Sequence, residues 1–378
     1  MYAHWPAGVP GRLDSLAVLV GTAQHVEPSK LPPLPQAAAD VADLEQVLTG
    51  PSGLLDASRV QTVLNPATAA QALGGFDLVQ GDALDLVLFF YAGHGTLDAE
   101  KQLCLALPGS VDTPDDAART GLPVSALFAR LKHVRAKRKV VILDCCFAGR
   151  ALYDPAVADV HVLCAAGRTE KALSDPDERN TGFTSALLRL LTEGVPDGPE
   201  YLDLGTLYRH LSVVLPTTPC PDEETGDMDR MLPAPRHRTT DLAEDVALAR
   251  NVAFGTALSR SGLDARARFA QRVAELGRRA APRPRPEYVT HAGDLFAHIA
   301  ADAMTVFPRA DAQVLRYRRA HAALAGETGH AARAVEILRG VVGDLEAAVP
   351  AGAADTKADQ LSIDHWSQRV RDPNAPHF

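Results

Sequence analysis

Apolar positions along the first two thirds of the chain alternate between two patterns. Short continuous runs at Leu16 to Gly21, Val60 to Leu64, Leu84 to Tyr91 and Val140 to Leu143 have strand length. The run LDLVLFFY is nearly all apolar, as a central strand covered on both faces requires. Between these runs, Gln36 to Leu48 places Ala37, Val41, Leu44 and Leu48 on one helical face before Gly50-Pro51 stops it. A second helix, with Pro123 near its first position, carries Val124, Leu127, Phe128 and Leu131 at the same spacing. Leu103 to Leu107 and His161 to Ala166 add strand candidates, while Phe183 to Leu191 and Leu202 to Leu215 read as helices. The alternation predicts an α/β fold: a mainly parallel sheet with helices on both faces.

The pattern fails between Pro216 and Thr240, where five prolines accompany the acidic run Asp222, Glu223, Glu224, Asp227 and Asp229. The spacing is not that of an EF-hand, so this reads as a solvated loop, and metal binding stays open. From about Asp241 the spacing is helical, broken by the alternate prolines of Pro282 to Pro286, a stiff linker. Ala312 to Ala325 and His330 to Ala348, separated by Gly326 to Gly329, form an antiparallel helix pair. Gly255, Gly262 and Ala267 recur as Ala322, Gly329 and Ala334, an offset that two repeats of about 34 residues would fit. The expected domains are 12–252 and 253–378.

Composition narrows the class. The chain has 378 residues, long for one ordinary domain of about 100 to 200. With 46% hydrophobic and 22% charged residues it is a folded globular protein rather than a disordered or collagen-like one. A net charge of -9 offers no basic excess for phosphate backbones, which argues against nucleic acid as a partner. The basic cluster Lys132 to Lys139 reads as the solvated end of the helix before it. No run reaches the roughly 18 apolar residues of a membrane span, and Met1 to Val20 lacks the pattern of an export signal. Five irregularly spaced cysteines, two of them adjacent, fit a reducing compartment, so a cytoplasmic protein is expected. Of 38 basic residues only seven are Lys, the bias of a GC-rich bacterial genome.

Two of the buried strands end in chemistry. Leu84 to Tyr91 runs into Gly93-His94-Gly95, and Val140 to Leu143 into Asp144-Cys145-Cys146-Phe147-Ala148-Gly149. The carboxyl edge of a parallel sheet is where α/β folds bind ligands, so His94 and Cys146 are placed as base and nucleophile. The Gly95 amide, with that of Cys146, is placed to donate to a developing oxyanion. This chemistry needs no metal or cofactor.

Together these motifs resemble the caspase-like cysteine peptidases, the group of caspases, metacaspases and their bacterial relatives. Phe90-Tyr91-Ala92-Gly93-His94-Gly95 stands for that family's Tyr-Ser/Ala-Gly-His-Gly, and Asp144 to Gly149 for its Asp-Ser/Cys-Cys-His/Phe-Ser/Ala-Gly. The resemblance extends through Leu34 to Asp40, Thr181 to Leu187 and Arg238 to Asn251. It implies a caspase-like fold, a His94/Cys146 dyad with Cys146 rather than Cys145 as nucleophile, and a protein or peptide substrate. Metacaspases that cleave after Arg or Lys carry Asp two residues before the nucleophile, where this chain has Asp144. A carboxylate there pairs with guanidinium, so cleavage after Arg, with Lys second, is expected. Asp98 and Glu170 are further candidates for that pocket, with Arg168 close enough in sequence to neutralise Glu170.

Relatives of this kind are often silent until a loop is cut or a partner binds. Arg168, Lys171, Arg179 and Arg230 are the candidate self-cleavage points; Arg283 and Arg285 are poor ones because Pro follows each. Calcium activation has no support in the sequence. The last third weakly resembles tetratricopeptide-type helical hairpins, which implies a partner-binding or regulatory region. Bacterial relatives are commonly wired to signalling, cell death or antiphage defence. The rival reading is a non-catalytic scaffold that keeps the fold and binds a partner; retention of both His94 and Cys146 argues against it.

Overall fold

A computed structural model describes residues 8–79, 81–170, 172, 175, 177–221, 230–239, 246–280, 283–349 and 354–372. Lys171 and the acidic run from Asp222 to Asp229 lie outside the described residues. Two compact units, 1–252 and 253–378, divide the chain.

In the first unit the elements follow in order β1 (Ser15–Gly21), α1 (Gln36–Thr49), β2 (Val60–Leu64), α2 (Ala69–Leu73), β3 (Leu84–Ala92), β4 (Gly95–Leu97), β5 (Leu103–Leu105), α3 (Ala117–Thr120), β6 (Leu122–Pro123), α4 (Val124–Lys132) and β7 (Ala136–Asp144). They continue with β8 (His161–Cys164), α5 (Gly182–Glu193), β9 (Tyr201–Asp203), α6 (Leu204–Val214), β10 (Pro219–Cys220), β11 (Arg230–Met231), β12 (Arg236–Arg238) and β13 (Ala247–Arg250). The main sheet has the order β12-β8-β7-β3-β1-β2; its pairings are parallel except for β12 on β8.

Alternation along the strands divides the core. Leu86, Leu88 and Phe90 of β3 face one layer with α1, α5 and α6, where Val41, Leu44, Leu187 and Leu207 meet them. Val87, Phe89 and Tyr91 face the other, with Ala72 of α2 and Leu127, Phe128 and Leu131 of α4. Each large side chain so buried contributes about 1.5 to 3 kcal/mol relative to exposure. This is the expected α/β architecture with helices on both faces.

The differences from the sequence reading lie at element ends. The basic cluster is not a helix terminus: α4 stops at Lys132, and Lys137, Arg138 and Lys139 belong to the partly exposed first half of β7. Tyr201–Asp203 is a strand paired with Ala247–Arg250, and the helix expected from Leu202 begins at Leu204, N-capped by Asp203, which accepts from Thr206 N. The helical pattern expected from about Asp241 therefore starts later, at Arg260.

Among its described residues the second unit holds helices and no strand: α7 (Arg260–Arg279), α8 (Pro286–Val306), α9 (Ala312–Glu327), α10 (Ala331–Ala348) and α11 (Lys357–Arg371). Ala322, Ala325, Ala334, Leu338 and Ile363 form a core among α9, α10 and α11. Asp359, 3% exposed, takes both arms of Arg319 at 2.8 and 2.6 Å. Gly329 makes the turn between α9 and α10 with φ +86°, whereas Gly262 lies in the first turn of α7, capped by Ser259, so the matched glycines play different structural parts. Among the described residues no helix is long and apolar enough to cross a membrane.

Candidate active site

The chain builds β2 on one side of β1 and β3 on the other, so the loops leaving β1 and β3 diverge at the sheet's carboxyl edge. Such a switch point opens a crevice. β3 and β7 are neighbours there, with Ala92 paired to Asp144, and His94 and Cys146 each follow two residues later. The two turns touch: a Cβ on Gly95 would lie 2.1 Å from the Cys146 carbonyl oxygen, so only glycine fits. Beneath the His94 turn, the buried Tyr91 hydroxyl sits 2.7 Å from the Ala106 carbonyl and 3.0 Å from that of His94.

His94 is half-buried, its Nε2 2.9 Å from the Pro32 carbonyl oxygen in the loop after β1. A carbonyl only accepts, so Nε2 carries the hydrogen and Nδ1 keeps the basic lone pair. His25, on the same loop, has its ring 5.3 Å from that of His94. Burial and the neighbouring His94 lower its pKa.

Cys145 and Cys146 point to different environments. Cys145 is 1% exposed and burial pushes its thiol well above the usual range, as for a packed, inert side chain. Cys146 is half-buried, with Sγ 3.9 Å from the Ala172 carbonyl oxygen. Phe147 follows in the left-handed region at φ 60°, a conformation costly for a bulky residue and frequent at functional sites. The segment after β8 is fastened across this turn, with Gly149 N donating to Ala166 O and Phe147 N to Glu170 O, both at 2.9 Å.

Asp144 is 3% exposed at the end of β7. Its Oδ2 accepts from Thr184 Oγ1 at 2.6 Å and lies 2.5 Å from Thr181 Oγ1, while Thr181 also reaches Asp40 through its amide at 3.1 Å and its hydroxyl at 2.9 Å. Burial first, and then the Asp144 charge, raise the Asp40 pKa to about 8; burial raises that of Asp144 too. The other pocket candidates are engaged elsewhere. The Asp98 carboxylate accepts from Gln102 N at 2.7 Å in the turn between β4 and β5, and that of Glu170 accepts from Gly167 N at 2.8 Å within its own loop.

Asp40, Thr181 and Thr184 fall in segments that carry the family resemblance but were given no role in the site, and Pro32 was not singled out. Asp40 left a signal: it lies on the buried stripe of α1 with Ala37, Val41 and Leu44, where a carboxylate is out of place without a special environment. Pro32 left none, because it contributes only a carbonyl.

A histidine turn and a half-buried cysteine's turn in contact at the ends of adjacent parallel strands fit a cysteine peptidase domain. A caspase-domain family profile matches residues 14–226, more than half of the chain, and the chain belongs to that family, whose members are cysteine peptidases. Comparison with curated proteins gives no match.

Proposed function

We propose that this chain is a cysteine endopeptidase in which His94 and Cys146 form the dyad and cleavage follows Arg, with Lys second. The observation that carries the reading is the contact of the Gly95 and Cys146 turns at the ends of adjacent strands, with His94 held by Pro32 so that Nδ1 is its basic atom. Nδ1 takes the Cys146 proton, the thiolate attacks the substrate carbonyl, and the imidazolium returns the proton to the leaving amine. The Gly95 and Cys146 amides serve the oxyanion. Asp144, seconded by Asp40, supports the basic preference, since two buried carboxyl groups linked by Thr181 at the sheet's carboxyl edge would repel an acidic side chain and attract guanidinium. Asp98 and Glu170 stay candidates for the rim of the pocket only if their present hydrogen bonds open.

Ala166, Glu170 and Ala172, after β8, lie against the nucleophile's turn through their carbonyls, which supports a resting state that needs activation. Arg179 is a weaker self-cleavage point than its sequence position suggests, because Asp43 holds its guanidinium at 2.8 and 2.7 Å. The helical unit is proposed to recruit or restrain a protein partner, and the whole to serve bacterial signalling, cell death or antiphage defence. A fluorogenic peptide panel varied only before the scissile bond, run on the wild type and Cys146→Ala, tests the reading.

A further inference from the structure

The hydrogen bonding around Asp144 implies a proton count. Thr181 Oγ1 lies 2.9 Å from Asp40 Oδ2 and 2.5 Å from Asp144 Oδ2. A hydroxyl has one hydrogen to give, so it donates to one carboxylate and can hydrogen-bond to the other only by accepting from a protonated carboxyl. Thr184 serves Asp144 through its hydroxyl and amide, and Asp40 takes the Thr181 amide and the Asn180 side chain, so donors serve the two about equally; it is the Asp144 charge, acting on Asp40 in addition to burial, that makes Asp40 the acid. The causes acting on the two carboxyls are burial, the Asp144 charge and the donors of Thr181, Thr184 and Asn180, with no Lys or Arg among them.

We propose that Asp40 and Asp144 hold one proton between them through Thr181 in the substrate-free protein, and that a substrate guanidinium displaces it, so that recognition of Arg releases a proton. The idea rests on the Arg reading above and adds its charge balance: the Asp40 O–H bond breaks, the proton passes to solvent, and the guanidinium pairs with two carboxylates instead of one. The groups facing the pair are Asn180 and Thr181 on Asp40, Thr181 and Thr184 on Asp144, and the Cys145 thiol beside Asp144. The Asp43–Arg179 ion pair lies one helical turn along α1, on its exposed side. Burial favours the protonated acid, and the raised pKa of Asp40 agrees. Thr181 is a positioning residue, acting through the two carboxyls.

Two readouts test it on the full chain. For an Arg peptide, KM should fall about tenfold per pH unit as pH rises towards the Asp40 pKa of about 8, then level off, while kcat follows the dyad. Thr181→Val breaks the relay between the two carboxyls and should shift the KM limb by about one pH unit, and Thr181→Ser should restore it. Independently of turnover, the substrate-free protein at neutral pH should show a carboxylic-acid infrared band that Asp40→Asn removes and acetyl-arginine amide diminishes. Absence of that band, or an Arg-dependent KM flat with pH, would overturn the proton sharing and leave the Arg preference standing. Turnover indifferent to Arg or Lys, with the band unchanged by acetyl-arginine amide, would instead overturn the underlying reading.

Discussion

Gly95 carries the tightest steric demand in the site. Its α-carbon faces the Cys146 carbonyl with no room for a methyl group. Gly95→Ala must push the His94 and Cys146 turns apart, and displacements of about 1 Å cost about 100-fold in rate. We therefore expect kcat/KM on an Arg peptide to drop at least that far in protein that still folds, with Tm lowered by the strain; near-wild-type turnover would show that the two turns are not one site. At this scale the sequence was readable where a residue type is itself chemical. His94, Cys146 and Asp144 announced themselves by type and position, whereas Pro32 acts through its backbone and Thr181 through a contact made only when α5 docks beside β7.

The segment between β8 and α5 is the element whose behaviour bears most on activity. The Glu170 carboxylate holds Gly167 N, and its carbonyl takes Phe147 N, so the side chain tightens the cover over Cys146. A hydrogen bond of this kind is worth about 1 kcal/mol, and Glu170→Ala is expected to raise iodoacetamide labelling of Cys146 about fivefold. An unchanged labelling rate would mean that the segment does not shield the thiol. The sheet edge carries a second test. His161 opens β8, its Nδ1 buried without a hydrogen bond among the described residues and its ring 6.1 Å from His237 on β12, and burial lowers its pKa to about 4. The unfolded chain thus binds the proton first, and stability present above about pH 6.5 is lost as pH falls towards 4. His161→Phe should flatten the decline of Tm over that window; the same slope in the variant would point to other groups. Central strands were legible because each is a continuous apolar run. The short strands Gly95–Leu97 and Tyr201–Asp203 were not, since two or three residues hold no period and their pairing comes from distant partners.

At the scale of the molecule, the proposed dyad, the proposed Asp144 pocket and the segment after β8 all lie in the first unit, whose two apolar layers close without the helices beyond 252. Residues 1–252 should consequently fold alone, with one cooperative transition and kcat/KM on a small peptide within about twofold of the full chain; an aggregated or unfolded product would contradict that independence. The helical third was legible only as helix. Its Gly and Ala spacing suggested equal repeats, but α7 and α8, of 20 and 21 residues, are longer than α9, of 16, so matched letters fall at unmatched places. The most direct test of the central claim is turnover of fluorogenic peptides that differ only in the residue before the scissile bond, by wild type and Cys146→Ala. Activity on Arg, weaker on Lys, nil on Asp and abolished by the substitution is the expected result. Hydrolysis after Asp, or activity that survives Cys146→Ala, would contradict it.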